Sequence, residues 1–285
     1  MVKKAVIICG GLATRFLPIS KSIPKEMLPV LNKPILQVLV EDLKKANVDD
    51  ILIIVGRNKE CIERHFTHNI ELEQNLINNN KLDLLEVANS TNMLIHFLIQ
   101  DAPRGTGHCV KLAKTFTGDD PFVLLYGDEL MLSEGKSNIQ QMVDCYNKYQ
   151  KSLISTQTCD MKDVHKYGII AGTPVDDDTL QVDFIVEKPK REDAPSNICN
   201  LGNAILTKDI YTALEALPPT TGEIPITDAY DILAKEGNLL ATNVKGNRLD
   251  MGNPLGFLIA NIEYALTTEF SEELKTYLKD LNSKL

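Results

Sequence analysis

No apolar run in this 285-residue chain approaches the length of a bilayer span, so no membrane partner is expected. Lys3 and Lys4 precede only the brief run Ala5 to Cys9, too short for the apolar region of a signal peptide, and a cytoplasmic location is expected. The six cysteines (Cys9, Cys61, Cys109, Cys145, Cys159 and Cys199) contain no close pair and read as reduced thiols rather than a disulfide framework. An excess of cations is also missing. With 30 Lys and Arg against 39 Asp and Glu, net −9, the chain is a poor wholesale binder of nucleic acid or membrane surfaces. An anionic substrate would therefore need a local basic pocket. There is no repeat and no low-complexity tract, and no Ser/His/Asp arrangement or nucleophile elbow stands out. That gap suits phosphate chemistry, in which the substrate's own oxygen attacks and the protein supplies positioning and charge.

What is present reads as an α/β protein. At 44 % hydrophobic and 24 % charged, the chain can bury a sizeable core without being a disordered polyelectrolyte. Its length fits one large domain with appended elements. KAVIICGG, DDILIIVG (49–56), IHFLIQ (95–100), PFVLLYGD (121–128) and SLISTQ (152–157) are apolar runs of strand length. Between them lie helical patterns: KPILQVLVEDLKKANV places Ile35, Leu39, Leu43 and Ala46 on one face, with Pro34 suited to the first turn. KECIERHF and a segment near Gly107 to Phe116 follow suit. Continuous apolar strands alternating with helices indicate a mainly parallel sheet covered on both faces. YGIIAG and VDFIVEKP look like antiparallel strands around the acidic turn VDDD. KDIYTALEAL, TDAYDILAKEG, LGFLIANIEYAL and SEELKTYLKDLN read as helices, the last packing on the surface or against another subunit. The Asn-rich stretch 71–85 is read as a mobile excursion.

Ligands of such sheets bind beyond the carboxyl ends of the strands. Residues 10–25, 100–107 and 127–129 all follow strand ends, which makes them candidates. GGLATRFLPISKSIPKEMLP gathers two glycines, three cations and three prolines directly after the first strand. It is neither GxxxxGK[ST] nor GxGxxG. Backbone amides at the glycines could cradle a triphosphate, with Arg15 and Lys25 neutralising it. The alternative is a plain connection with surface lysines, but the prolines favour function, because a solvated loop has little need of stiffness. Asp128 either holds Mg²⁺ or initiates a turn, and Asp250 is a second isolated acid beside a glycine. Glu187 and Lys188 either accept sugar hydroxyls and grip a sugar phosphate, or sit in solvent at a strand end. Cys61, His65 and His68 share roughly one helical face, yet no fourth zinc ligand is evident. His108 reads as the start of a helix rather than a base.

The combination GGLATRFLPISKSIPKEMLPVLNKP, QDAPRGTGH, GDDPFVLLYGDEL, HKYGII, VEKPKREDAPSN, TGEIPITDA and NRLDMGNPLGFLIANIEYAL resembles the sugar-nucleotide pyrophosphorylases, most closely the bacterial members acting on UTP and glucose 1-phosphate. The resemblance spans nearly the whole chain. It implies a Rossmann-like nucleotidyltransferase fold with a mainly parallel central sheet flanked by helices, a small antiparallel sugar-binding part and C-terminal helices. One domain over 1–285 is expected, with 1–130 mainly nucleotide-binding, 150–255 mainly sugar-binding and 256–285 the terminal helices. The implied reaction makes UDP-glucose and pyrophosphate with Mg²⁺; a thymidylyl or cytidylyl transfer, or a weakened UDP-sugar-binding regulator, are the alternatives. Gly10, Gly11, Thr14 and Arg15 match the nucleotide loop, and Lys25 the phosphate-contacting lysine. Gln100 and Gly105 match the uracil-reading positions, and Asp128 and Asp250 the metal acids. Gly168, Glu187 and Glu223 match sugar contacts, and Lys188 the lysine on the sugar phosphate. A dimer or tetramer is expected. The departures are Ala13 for the second glycine of Gly-x-Gly-Thr-Arg, GDE for Pro-Asp-Asp, LDMGNP for Tyr-Asp-Cys-Gly-Asp-Lys, and Asn203 where an arginine is common.

Overall fold

The computed structural model describes residues 1–284, with Ser90, Asn92, Pro219 and Thr221 outside the described residues and Asp250 described by its backbone alone. In chain order its elements begin with β1 (Lys4–Cys9), the short β2 (Pro29–Val30) and β3 (Lys33–Pro34), α1 (Ile35–Lys45), β4 (Asp50–Val55), α2 (Glu60–Phe66), α3 (Ile70–Asn78), α4 (Leu82–Ala88) and β5 (Leu94–Ile99). There follow α5 (Gly105–Thr117), β6 (Phe122–Tyr126), β7 (Glu129–Leu132), α6 (Asn138–Tyr149), β8 (Ser152–Thr158), β9 (Gly168–Pro174) and β10 (Thr179–Glu187). The chain closes with β11 (Ile198–Leu206), α7 (Asp209–Ala216), α8 (Ile226–Lys235), β12 (Leu239–Asn243), β13 (Asn247–Asp250), α9 (Pro254–Ala265) and α10 (Ser271–Asn282).

Why the central strands are apolar throughout is visible in β1. Ala5, Ile7 and Cys9 enter one apolar cluster, while Val6 and Ile8 enter another on the opposite face. In β6, Val123 and Leu125 point to the first cluster, Phe122 and Leu124 to the second. Successive side chains alternate faces, so a strand covered on both sides must be apolar at every position. Each fully buried aliphatic or aromatic side chain contributes about 1.5–3 kcal/mol.

Nine strands form one sheet in the order β5-β4-β1-β6-β11-β8-β12-β10-β9. The pairs β5/β4, β4/β1, β1/β6 and β8/β12 are parallel; β6/β11, β11/β8, β12/β10 and β10/β9 are antiparallel. The sheet is therefore mixed, with β10 and β11 running against the rest. The expected antiparallel hairpin around VDDD exists as β9 and β10, and it extends the same sheet as its outer edge. A separate two-stranded ladder, β7 with β13, stands apart from it.

Two expectations change in detail. Pro34 caps α1 from outside instead of entering its first turn, and α5 starts at Gly105, two residues before Gly107. One is overturned. The 71–85 stretch is no excursion but the two helices α3 and α4, which pack on each other. The asparagines that suggested a loop serve as punctuation: Asn69 Oδ1 accepts the Leu72 N–H at 3.1 Å at the start of α3, and Asn80, at φ 53°, turns the chain between the helices.

A third apolar cluster joins Phe16, Leu28, Ile35, Leu39, Leu130, Leu249 and Met251 to α9 through Ala260. Phe16 meets Phe257 edge-on at 6.1 Å between centroids. The cationic loop is thereby anchored to α9. No helix among the described residues is long and apolar enough to cross a membrane.

Candidate active site

The carboxyl ends of β1, β5 and β6 deliver Gly10, Gln100 and Asp128 to one side of the sheet. There they line a cavity of about 480 Å³ together with Gly11, Lys25, Gly105, Tyr126, Glu187, Lys188, Glu223 and Thr227. Both halves of the chain contribute to its wall, and most of the residues singled out from sequence lie in it. Thr14 lies instead in an adjoining hollow of about 320 Å³, which also takes in Gly11, Lys21, Lys25, Arg57 and Lys59. Arg15 is exposed and lines neither space. Gly168 is buried behind the wall, opposite Glu187 in the β9/β10 ladder; a Cβ there would come within 3.1 Å of Glu187 Oε2. The side chain of Asp250 lies outside the described residues, but its backbone pairs with Glu129, next to Asp128.

At the centre, Lys25 Nζ donates to Asp128 Oδ2 at 2.5 Å. Burial alone would lower the Lys25 pKa, but attraction to Asp128 and their hydrogen bond outweigh it and hold the ammonium above its ordinary value. The neighbouring Glu26 turns the other way. Lys59 Nζ donates to both Glu26 oxygens, at 2.9 and 3.0 Å, and to the carbonyls of Cys9 (2.9 Å) and Gly10 (2.8 Å). The Lys59 and Glu26 side chains are only 10 % and 1 % exposed. Burial pushes the Glu26 pKa up, and the Lys59 charge offsets part of that rise. Gly127 makes the arrangement possible, since a Cβ there would meet Cys9 Sγ at 2.6 Å and Glu26 Cγ at 2.9 Å. One buried ammonium thus ties the glycine turn to the segment that carries Lys25.

On the opposite wall, the Ile224 N–H donates to Arg104 O at 2.8 Å and the Gly107 N–H to Ile224 O at 2.9 Å, which sets Glu223 against Gly105. Gly105 has φ +80°, and a Cβ there would stand 2.8 Å from Ile224 O. Lys188 adopts φ 46°, a conformation that non-glycine residues avoid and that concentrates at functional sites. Its N–H donates to Tyr167 O at 2.9 Å, and its ammonium lies 3.4 Å from Glu187. Arg248 grips both oxygens of Glu129, at 2.8 and 2.7 Å, and lies over the Tyr167 ring at 5.4 Å. GDE and LDMGNP therefore meet as one ladder. Asn253, standing for an acid of the family pattern, accepts the Gly256 N–H at 2.9 Å and caps α9.

Ala13 answers a question raised by the sequence. It sits at φ 50°, ψ 41°, the left-handed region that a glycine occupies freely. The chain keeps the glycine-like backbone and tolerates a methyl group on it. Ala13→Gly is expected to leave stability within about 0.5 kcal/mol, whereas Ala13→Val should cost about 1–2 kcal/mol, because a β-branched residue resists this region. Urea unfolding curves of the two variants will measure the difference.

Sequence reasoning gave no role to Glu26, Lys59, Arg57 or Lys21. The usable signal was RNK directly after β4, a second cationic strand end beside the first. Cys61, His65 and His68 do not converge: His65 Nε2 lies 2.8 Å from Gln37 Oε1, and His68 Nδ1 2.9 Å from Glu73 Oε1. Among the described residues no three His, Cys, Asp or Glu side chains are grouped to hold a metal. One or two carboxylates with substrate phosphates is, however, the donor set that Mg²⁺ takes, and Asp128 beside the backbone position of Asp250 fits it.

Residues 4–266 match the model of the family described as Nucleotidyl transferase. A Staphylococcus epidermidis protein named UTP–glucose-1-phosphate uridylyltransferase is 41 % identical over 285 residues, covering 99 % of each chain. A UTP-bound UGPase structure from Acinetobacter baumannii aligns with a TM-score of 0.91 at 34 % identity, over 99 % of this chain and 100 % of that one. A UDP-glucose pyrophosphorylase complexed with UDP-glucose aligns at TM-score 0.83 and 34 % identity, over 94 % of this chain and 100 % of that one. The chain belongs to the nucleotidyl transferase family, alongside the UTP–glucose-1-phosphate uridylyltransferases.

Proposed function

We propose that this chain is a uridylyltransferase that makes UDP-glucose and pyrophosphate from UTP and glucose 1-phosphate. The observation that carries the proposal is the single cavity that faces the Lys25–Asp128 pair with Gln100 and Gly105 on one side and Glu187, Lys188 and Glu223 on the other. Names of relatives that cover the chain end to end support the substrate pair. A phosphate oxygen of the sugar phosphate attacks the α-phosphorus of UTP in line. The new P–O bond forms as the bond to the β-phosphate oxygen breaks, and pyrophosphate leaves with that electron pair. Lys188 grips the sugar phosphate, and Glu187 and Glu223 accept sugar hydroxyls. Lys25 moves from Asp128 onto the transferring phosphate, Gly10 and Gly11 offer backbone amides, and Thr14 serves the triphosphate from the adjoining hollow, which Arg15 reaches only by turning its exposed side chain inward. Asp128 and Asp250 would hold Mg²⁺, which when bound would neutralise triphosphate charge.

The nucleotide half, 1–130, and the sugar half, 150–255, act within one domain in the cytoplasm. We further propose a homodimer or tetramer. Leu255, Leu258 and Ile259 are exposed on one stripe of α9, an apolar face that a second copy would cover. Sedimentation velocity at micromolar concentration should show a species of at least twice the monomer mass; a monomer throughout would overturn this.

The enzyme proposal is tested by pyrophosphate release from purified protein with Mg²⁺ over a panel of UTP, dTTP and CTP against several sugar 1-phosphates. UTP with glucose 1-phosphate is expected to give the highest kcat/KM. Absence of release with every pair would overturn the proposal, and a strong preference for dTTP would replace uridylyl by thymidylyl transfer.

A further inference from the structure

Gln100 is 7 % exposed and follows β5 directly. Its backbone N–H donates to Val55 O at 2.8 Å, which fixes its main chain to the end of β4. Its side chain is held as well: Nε2 lies 2.9 Å from Nδ1 of His108, in the first turns of α5. The carboxamide is oriented with its nitrogen toward the imidazole, an arrangement that pairs with the tautomer protonated on Nε2 and leaves Nδ1 as the acceptor. Burial pushes the imidazole pKa below its ordinary value, and the Arg104 and Lys111 charges push it the same way. A neutral ring at pH 7 keeps Nδ1 available as that acceptor.

An amide has two faces for recognition, and a rotation of half a turn exchanges them. With one Nε2 hydrogen committed to His108, the carboxamide keeps Oε1 and its second N–H for the cavity that Gln100 lines. An acceptor beside a donor complements the edge of a pyrimidine that carries N3–H next to a carbonyl. Cytosine offers the opposite pattern, a bare N3 beside an amino group, and would set lone pair against lone pair and N–H against N–H. A freely turning amide could satisfy either base.

We infer that His108 is a positioning residue for nucleotide choice: its Nδ1 locks the Gln100 carboxamide in the orientation that accepts uracil and rejects cytosine. The inference rests on the proposal that Gln100 faces the base. It requires no contact between His108 and the substrate.

The test uses calorimetric Kd values for UTP and CTP, which do not depend on turnover, on the full chain and three variants. Gln100→Leu removes the reader. His108→Leu removes the acceptor while keeping a side chain that a helix accommodates. His108→Asp restores an acceptor oxygen close to the place of Nδ1, in a helix turn that favours an acid. The unmodified protein should prefer UTP, and His108→Leu should shrink the CTP-to-UTP Kd ratio by about ten-fold or more, as expected when an orienting hydrogen bond is lost. His108→Asp should keep most of the ratio. If His108→Leu weakens UTP and CTP equally, or if the ratio collapses as far in His108→Asp, the positioning role is overturned while the base-reading role of Gln100 stands. If Gln100→Leu leaves the ratio unchanged, Gln100 does not read the base and both fall.

Discussion

Lys25→Ala is expected to lower pyrophosphate release by about 10³-fold, the scale on which loss of one preorganised donor to a transition-state anion acts. The expectation follows from position. In the proposed mechanism Lys25 stands between two polyanions that must meet, and its partner in the free chain, Asp128, is an acid needed for other work. Folding should suffer little. Lys25 and Asp128 keep 23 % and 19 % side-chain exposure, so water can take up the abandoned carboxylate and the stability loss should stay near 1 kcal/mol. Steady-state pyrophosphate assays and urea unfolding on the same preparation separate the two effects. Turnover within ten-fold of the unmodified protein would remove Lys25 from the chemistry.

Lys59→Met is expected to show the opposite signature, with stability lost first and activity lost as a consequence. Glu26 would be left as an ionised group at 1 % exposure, and the Cys9 and Gly10 carbonyls would lose a donor. Breaking a buried pair in this way costs about 3–5 kcal/mol. The pH dependence gives a second check. Burial already raises the Glu26 pKa, and loss of Lys59 removes the offset. A carboxyl whose folded pKa lies above its unfolded value binds more protons in the native state between the two. The penalty is therefore absent below the unfolded pKa and fully present above the folded one. Urea midpoints measured from pH 7 downward should converge on the unmodified protein as the pH falls. Lys59→Met with Glu26→Gln should recover part of the loss at pH 7, because no bare charge remains. A single-variant loss under 1 kcal/mol would show that the loop is held by something else.

The strands were legible because burial on both faces forces continuous apolar runs, as in KAVIIC and FVLLY. The cavity was largely legible because its residues follow strand ends in recognisable order. What escaped has a common cause. Lys59 and Glu26 are 33 positions apart and meet only because β1 and β4 lie side by side. His108 becomes meaningful only once α5 returns its first turns to the end of β5. A motif also fixes where a side chain starts and not where it ends, which is why Arg15 keeps its place in the loop yet stands outside the cavity. The asparagines of 71–85 misled because the same short amide that breaks a helix also starts and separates helices.

The contact between Lys25 and Asp128 bears on the order in which ligands arrive. Each group is the other's counter-ion in the free chain. A divalent cation arriving alone would compete for the carboxylate and leave an ammonium beside it without an anion. A triphosphate arriving alone would draw off the ammonium and expose the carboxylate to more negative charge. A nucleotide already chelated to its cation would exchange partners with both at once. Under the proposed roles of Lys25 and Asp128, the resting salt bridge would favour the complexed nucleotide as the species that enters, turning two unfavourable encounters into one balanced swap.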